Sequence, residues 1–197
     1  MNQTSEERIE LIRSHFYEHE SILSETKNKL NQQVNNIALE VSETITKDGT
    51  IFFCGNGGSA SDSQHLTAEF IGRFKRERKP FKAISLNSDT SVLTCISNDF
   101  EFDNIFSSQI EALGSGNDLL IAISTSGKSI NILNVLKKAK SKGLKTIALL
   151  GNDGGVAKEL ADISLIIPSD STARIQEMHI LIGHILCDLV EKELGYE

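Results

Sequence analysis

From residue 5 to 47 the apolar positions Leu30, Val34, Ile37, Val41 and Ile45 recur at spacings of three and four, which predicts one face of a helix. Thr4 and Glu7 offer a capping box at its start, and Asp48-Gly49 offers a stop at its end. A break near residues 21–31 is expected to divide the stretch into two helices. Beyond residue 50 the pattern changes to short apolar runs rich in strand formers, at 51–54, 82–86, 119–123, 146–150 and 164–167, the last stopped by Pro168. Small-residue loops follow three of them: GNGGS at 55–59, STSGKS at 124–129 and GNDGG at 151–155. Helical stretches come next, over 60–74, to about residue 142 and, after GNDGG, over a short segment; a last helix covers 172–194. A repeated strand–loop–helix unit predicts a parallel sheet with helices on both faces. The expected fold is therefore α/β: one domain over 50–197 with a five-stranded parallel sheet, preceded by a helical arm over 1–49. Ligands of such sheets bind at the carboxyl ends of the strands.

With 197 residues, 39% of them hydrophobic and 24% charged, the chain fits a soluble globular domain. Its net charge of -7 argues against a nucleic acid or an anionic membrane as partner. A phosphorylated ligand would need a local positive field, which backbone N–H groups and helix N-termini supply. No apolar run reaches the ~18 residues of a membrane span. The polar start MNQTSEERIE does not read as a signal peptide, so a cytoplasmic location is expected. Cys54, Cys95 and Cys187 are odd in number and lie in apolar segments, which predicts buried, reduced thiols.

The candidate chemistry gathers in the loops and two helices. GNGGS lets backbone approach an anion at a helix start, but it matches neither the dinucleotide fingerprint nor a P-loop. STSGKS is sharper: Ser124, Thr125, Ser126 and Ser129 place four hydroxyls around one glycine at a helix start, enough to ring a phosphate. The bland alternative is a helix cap with spare serines, and Lys128 is as well suited to solvent as to an anion. His65 and Glu69, with Gln64 beside them, stand four residues apart on one helix face. That spacing suits a metal, a proton transfer or a plain surface ion pair. The final helix, IQEMHILIGHILCDLV, is apolar around most of its circumference, so Gln176, His179 and His184 need partners; a satisfied core histidine is the alternative for either imidazole. Asn98-Asp99 and residues 169–174 are polar clusters that a turn or cap would also explain. His15 and His19 have metal-compatible spacing but no third ligand nearby, and read as a solvated face.

Together CGNGGSASDSQHLTAEFIGRF, SNDFEFDNIFS, DLLIAISTSGKS, LLGNDGG and ARIQEMHILIGHILCDLVEKEL resemble the sugar isomerase (SIS) domain family, and within it the phosphoheptose isomerases, over about residues 51–194. The resemblance implies substrate contacts from Asn56, Gly57, Gly58, Ser59, Glu69, Arg73, Asn98, Asp99 and Gln176, with Ser124, Thr125, Ser126 and Ser129 on the phosphate. It implies one zinc ion per subunit on His65, Glu69, Gln176 and His184, with no nucleotide cofactor. Glu69 and His184 would be the acid/base pair that turns sedoheptulose 7-phosphate into an aldose through an enediolate. The heptose would serve nucleotide-activated heptose synthesis, for lipopolysaccharide or capsule. SIS-domain proteins also include non-catalytic partners, notably the DnaA initiator-associating protein, which resembles this chain through ARIQEMH and the loops but lacks acid/base residues at the positions of Glu69 and His184. An isomerase of another sugar phosphate, such as arabinose 5-phosphate, is a third reading; an appended regulatory domain would be expected of it.

Gln176 and His184 are eight residues apart, a helix rise of ~12 Å and an offset of ~80°. They reach a single ion from one helix only at full stretch. The expectation is a homo-oligomer, the tetramer of the family, with 5–47 and 172–194 at its interfaces and with Gln176 or His184 crossing into a neighbour's site.

Overall fold

A computed structural model describes residues 4–197. Helix α1 (Ser5–Thr46) is followed by β1 (Ile51–Gly55), α2 (Gly58–Ile71), β2 (Ala83–Ser85), α3 (Thr90–Phe100) and a 3-10 turn at Phe102–Asn104. Then come α4 (Ser107–Leu113), β3 (Leu119–Ser124), α5 (Ile130–Ser141), β4 (Lys145–Leu150), α6 (Ala157–Leu160), β5 (Ile163–Ile166) and α7 (Thr172–Glu193). All strands pair in parallel in the order β2-β1-β3-β4-β5. Both faces are covered, which is why β1 and β3 are buried at every residue and read in sequence as unbroken apolar runs. Phe53, Ile121, Leu149 and Leu165 pack under α1, α2 and α7; Phe52, Leu120, Ala148 and Leu150 pack under α4, α5 and α6. The strand order reverses between β1 and β3, and GNGGS and STSGKS leave the carboxyl ends of those two strands. In a sheet of this kind that is the crevice where ligands bind.

The Thr4–Glu7 capping box forms as predicted, with Thr4 N–H donating to Glu7 Oε2 at 2.7 Å and Glu7 N–H to Thr4 Oγ1 at 3.2 Å. The expected break at 21–31 does not occur: α1 is continuous. No proline or glycine interrupts it, the poorer helix formers there cost only tenths of a kcal/mol each, and Ile22, Leu23 and Leu30 pack on the core. Only the second half of α1 is buried. Ile9, Ile12 and Phe16 are exposed, spaced along one face.

Residues 90–113 hold two helices and a turn. Asp89 caps α3, accepting from Val92 N–H at 3.0 Å, and α3 rests at the surface with no fully buried residue. Cys95 is consequently exposed, contrary to expectation. Cys54 and Cys187 are buried; burial pushes the Cys187 thiol up to about 12 and raises Cys54 as well. His15 and His19 do not converge: His19 Nδ1 meets Glu177 at 2.7 Å on α7, while His15 Nδ1 lies 4.0 Å from Glu18. Among the described residues no helix is long and apolar enough to cross a membrane.

Candidate active site

The GNGGS turn enters α2 through Gly57, whose φ of +57° suits glycine alone at low cost. The Asn56 side chain exchanges two hydrogen bonds with Asn131, at 2.9 and 3.0 Å. Asn131 is buried in the first turn of α5, just past STSGKS, so one amide pair ties the two loops together. Ser59 is buried, its N–H donating to the Asn56 carbonyl at 3.1 Å. In STSGKS the Ser124 hydroxyl accepts from Gly127 N–H at 3.1 Å and Ser126 from Lys128 N–H at 3.2 Å. Gly127, at φ +62°, lies against Gly154, so a side chain there would collide with the GNDGG backbone. The third loop therefore braces the second. Ser129 caps α5 with its backbone, while its hydroxyl makes no cap bond. Lys128 reaches Asp153 at 3.6 Å in solvent.

Two helices bring the ionisable groups together. Gly58 lies against Gln176, Leu66 against Gly183 and His65 against His184, so α2 and α7 run side by side in the same direction. A side chain at Gly183 would come within 2.5 Å of Leu66 Cδ2, so the glycine permits the close approach. His65 Nε2 is 3.0 Å from His184 Nε2 and 3.4 Å from Glu69 Oε1. One ligand atom from each of His65, Glu69 and His184 lies within 4.8 Å of the other two. Ligand atoms on one tetrahedral ion stand about 3.2–3.6 Å apart, close to the 3.0 and 3.4 Å found here, so the chemistry of this His/Glu/His set suits a divalent ion with a position left open. Asp62, one turn before His65, has its Oδ2 enclosed and without a hydrogen-bond partner. Burial pushes its carboxyl up, and the nearby His65 pulls it back.

Gln176 stands apart from these three. Its amide sits at Gly58, seven residues before His65 and so roughly 10 Å further along the helix. His184, by contrast, meets His65 and Glu69 of its own chain, so the crossing expected of one of the pair is not needed for His184. Asn98 and Asp99 do not form a turn but the last turn of α3, exposed and bonded to each other at 2.7 Å. A cavity of about 320 Å³ separates α3 from the first loop, lined by Asn56, Gly57, Asn87, Thr94 and Ser97 among others. Arg73 is exposed and paired with Glu77 at 3.0 Å. His179 is a core histidine: its Nε2 meets the Leu150 carbonyl at 3.0 Å, its Nδ1 is buried without a hydrogen-bond partner, and burial lowers its pKa to about 4, keeping it neutral. Asn131 carries no signal in the sequence, because it acts through Asn56, 75 residues away.

Residues 14–151 match the SIS domain family. The chain is 49% identical over 188 residues to the phosphoheptose isomerase of Helicobacter pylori (strain P12), covering 95% of this chain and 98% of that protein. It is 48% identical over 184 residues to that of Campylobacter jejuni subsp. jejuni serotype O:6, covering 93% and 98%. Its fold superposes on the phosphoheptose isomerase structure from Francisella tularensis with a TM-score of 0.92 at 37% identity, covering 96% of this chain and 100% of that one. The Neisseria gonorrhoeae structure gives 0.89 at 40%, covering 93% and 98%.

Proposed function

We propose, because this chain belongs to the SIS-domain family and within it to the phosphoheptose isomerases, that it converts sedoheptulose 7-phosphate to D-glycero-D-manno-heptose 7-phosphate, with Glu69 and His184 as its acid/base pair. The observation that carries this assignment is the convergence of His65, Glu69 and His184 from two helices, on a sheet whose switch-point loops include the hydroxyl-rich STSGKS.

Isomerisation of a 2-ketose moves a proton from C1 to C2 and passes through an enediolate. Glu69 is suited to remove the C1 proton and return it at C2. His184 presents Nε2 to the same space; whenever that nitrogen is not ligating the ion, it can exchange the protons of O1 and O2. His65, Glu69 and His184 would hold the divalent ion, zinc by family resemblance, which when bound would polarise the substrate carbonyl. The Ser124, Thr125, Ser126 and Ser129 loop and the amides of Gly57 and Gly58 are suited to fix the phosphate and so orient the reacting end. The Ser129 hydroxyl, which makes no cap bond, favours this use. Asn98, Asp99 and Arg73 are carried over as substrate contacts from the resemblance and would have to turn inward when substrate binds. Ser126→Ala is expected to weaken phosphate-ester binding by about 1–3 kcal/mol. Unphosphorylated sedoheptulose should react very poorly. Equal kcat/KM for the sugar and its phosphate would refute the phosphate role of these loops.

The same reading extends to a cytoplasmic enzyme supplying nucleotide-activated heptose for lipopolysaccharide or capsule, and to a homotetramer with the arm of residues 1–49 and α7 at its interfaces. Two surfaces support assembly. The exposed Ile9, Ile12 and Phe16 lie unpartnered on α1, and a groove of about 690 Å³ between α1 and α7 is walled by Leu23, Leu30, Val34, Leu181, Ile185 and Leu189. In such an assembly Gln176 is the residue suited to serve a neighbouring site. Light scattering should give four chains, and a monomer would reject the assembly. Mixed Glu69→Gln and His184→Gln subunits should not recover activity, since both groups belong to one chain; recovery would place them in different chains.

A further inference from the structure

His184 lies between two rings. His65 Nε2 lies 3.0 Å from its Nε2, with the two rings tilted by 58°, and Phe74 stacks on it with ring centroids 5.3 Å apart and planes 16° from parallel. Phe74 belongs to the loop after α2, and that loop is held with unusual care. Glu191, only 1% exposed, accepts the N–H groups of Phe74, Lys75 and Arg76 at 3.0, 3.1 and 3.1 Å and Arg78 Nε at 2.9 Å. Glu191 stands seven residues after His184, two turns along the same face of α7. One helix thus carries both the imidazole and the carboxylate that pins the ring stacked upon it. On the outside, Lys75 Nζ lies 5.1 Å from the centre of the Phe74 ring and bonds Asp188 at 3.3 Å.

Resting on the function proposed above, we infer that Phe74 is a positioning residue for the reaction: it acts through His184, fixing the plane of the imidazole so that Nε2 faces Glu69 and the substrate. A half-buried apolar filler would need only bulk, and leucine would serve as well. Holding a second ring near parallel needs an aromatic face. Misplacing a reacting group by ~1 Å costs up to about 100-fold in rate.

The test uses the full chain, Phe74→Leu and Phe74→Tyr. In histidine-labelled protein as purified, the His184 ring C–H resonances, identified by their loss in His184→Gln, should lie upfield of those of exposed His15 and move downfield in Phe74→Leu. On sedoheptulose 7-phosphate, Phe74→Leu should lose about 10- to 100-fold in kcat with KM changed less than about twofold. Phe74→Tyr should stay within about threefold of the parent. Unshifted His184 resonances in the parent protein would overturn the inference without any variant, even if Phe74→Leu failed to fold. A leucine variant with parental kcat would overturn it too. A parent protein inactive on this substrate, with the His184 shift intact, would instead refute the assigned reaction.

Discussion

Glu69→Gln and His184→Gln should each lower kcat on sedoheptulose 7-phosphate by ~10²-fold or more while KM changes far less, because each removes a proton carrier and little binding surface. Folding should survive. Glu69 is partly exposed, and its carboxylate lies 3.4 Å from His65 Nε2. His184 is partly exposed as well, and glutamine can still fill the space under Phe74. The pair works as a unit, so the double variant should fall little below the worse single one. Circular dichroism with steady-state kinetics checks both statements. Near-parental turnover in either purified single variant would remove that residue from the chemistry.

Glu191→Leu should destabilise the chain by about 3–5 kcal/mol, the usual cost of removing one partner of a buried ion pair. Arg78, whose side chain is 2% exposed, would lose its carboxylate, and the N–H groups of Phe74, Lys75 and Arg76 would lose their acceptor. Burial alone would push the Glu191 carboxyl up, but the amides of Phe74 and Lys75, with Arg78 and Arg76, outweigh it and hold it below the usual range. A carboxyl lowered on folding stabilises fully above its unfolded value, ~4.3, and loses that contribution as pH falls through its folded value. The gap between parent and variant in urea unfolding should therefore be widest near neutrality and narrow in acid. A gap that is small at pH 7, or that widens in acid, would contradict the ion-pair account.

The sheet was legible because strands buried on both faces leave continuous apolar runs, each closed by a small-residue loop. Helix α3 was not, because it packs only Leu93 and Ile96 loosely and its polar end looks like a turn. The unbroken α1 shows the reverse error: weak local propensity at 21–31 suggested a break that packing against α7 overrides. At the site, the four-residue spacing of His65 and Glu69 was readable because one helix carries both. The helix arithmetic also separated Gln176 from His184. It could not say which of the two stays with the cluster, since that depends on how α2 and α7 lie together. Asn131 and Phe74 carry no local signal at all: the first matters through Asn56 and the second through His184, 110 residues away in the chain.

The central claim is an aldose–ketose isomerisation of a seven-carbon sugar phosphate by this chain. Incubating the purified protein with sedoheptulose 7-phosphate in D2O, followed by proton NMR, tests it most directly. The account predicts new anomeric signals of an aldoheptose 7-phosphate, and no such signals from Glu69→Gln at matched concentration. A parent protein that leaves the ketose spectrum unchanged would contradict it.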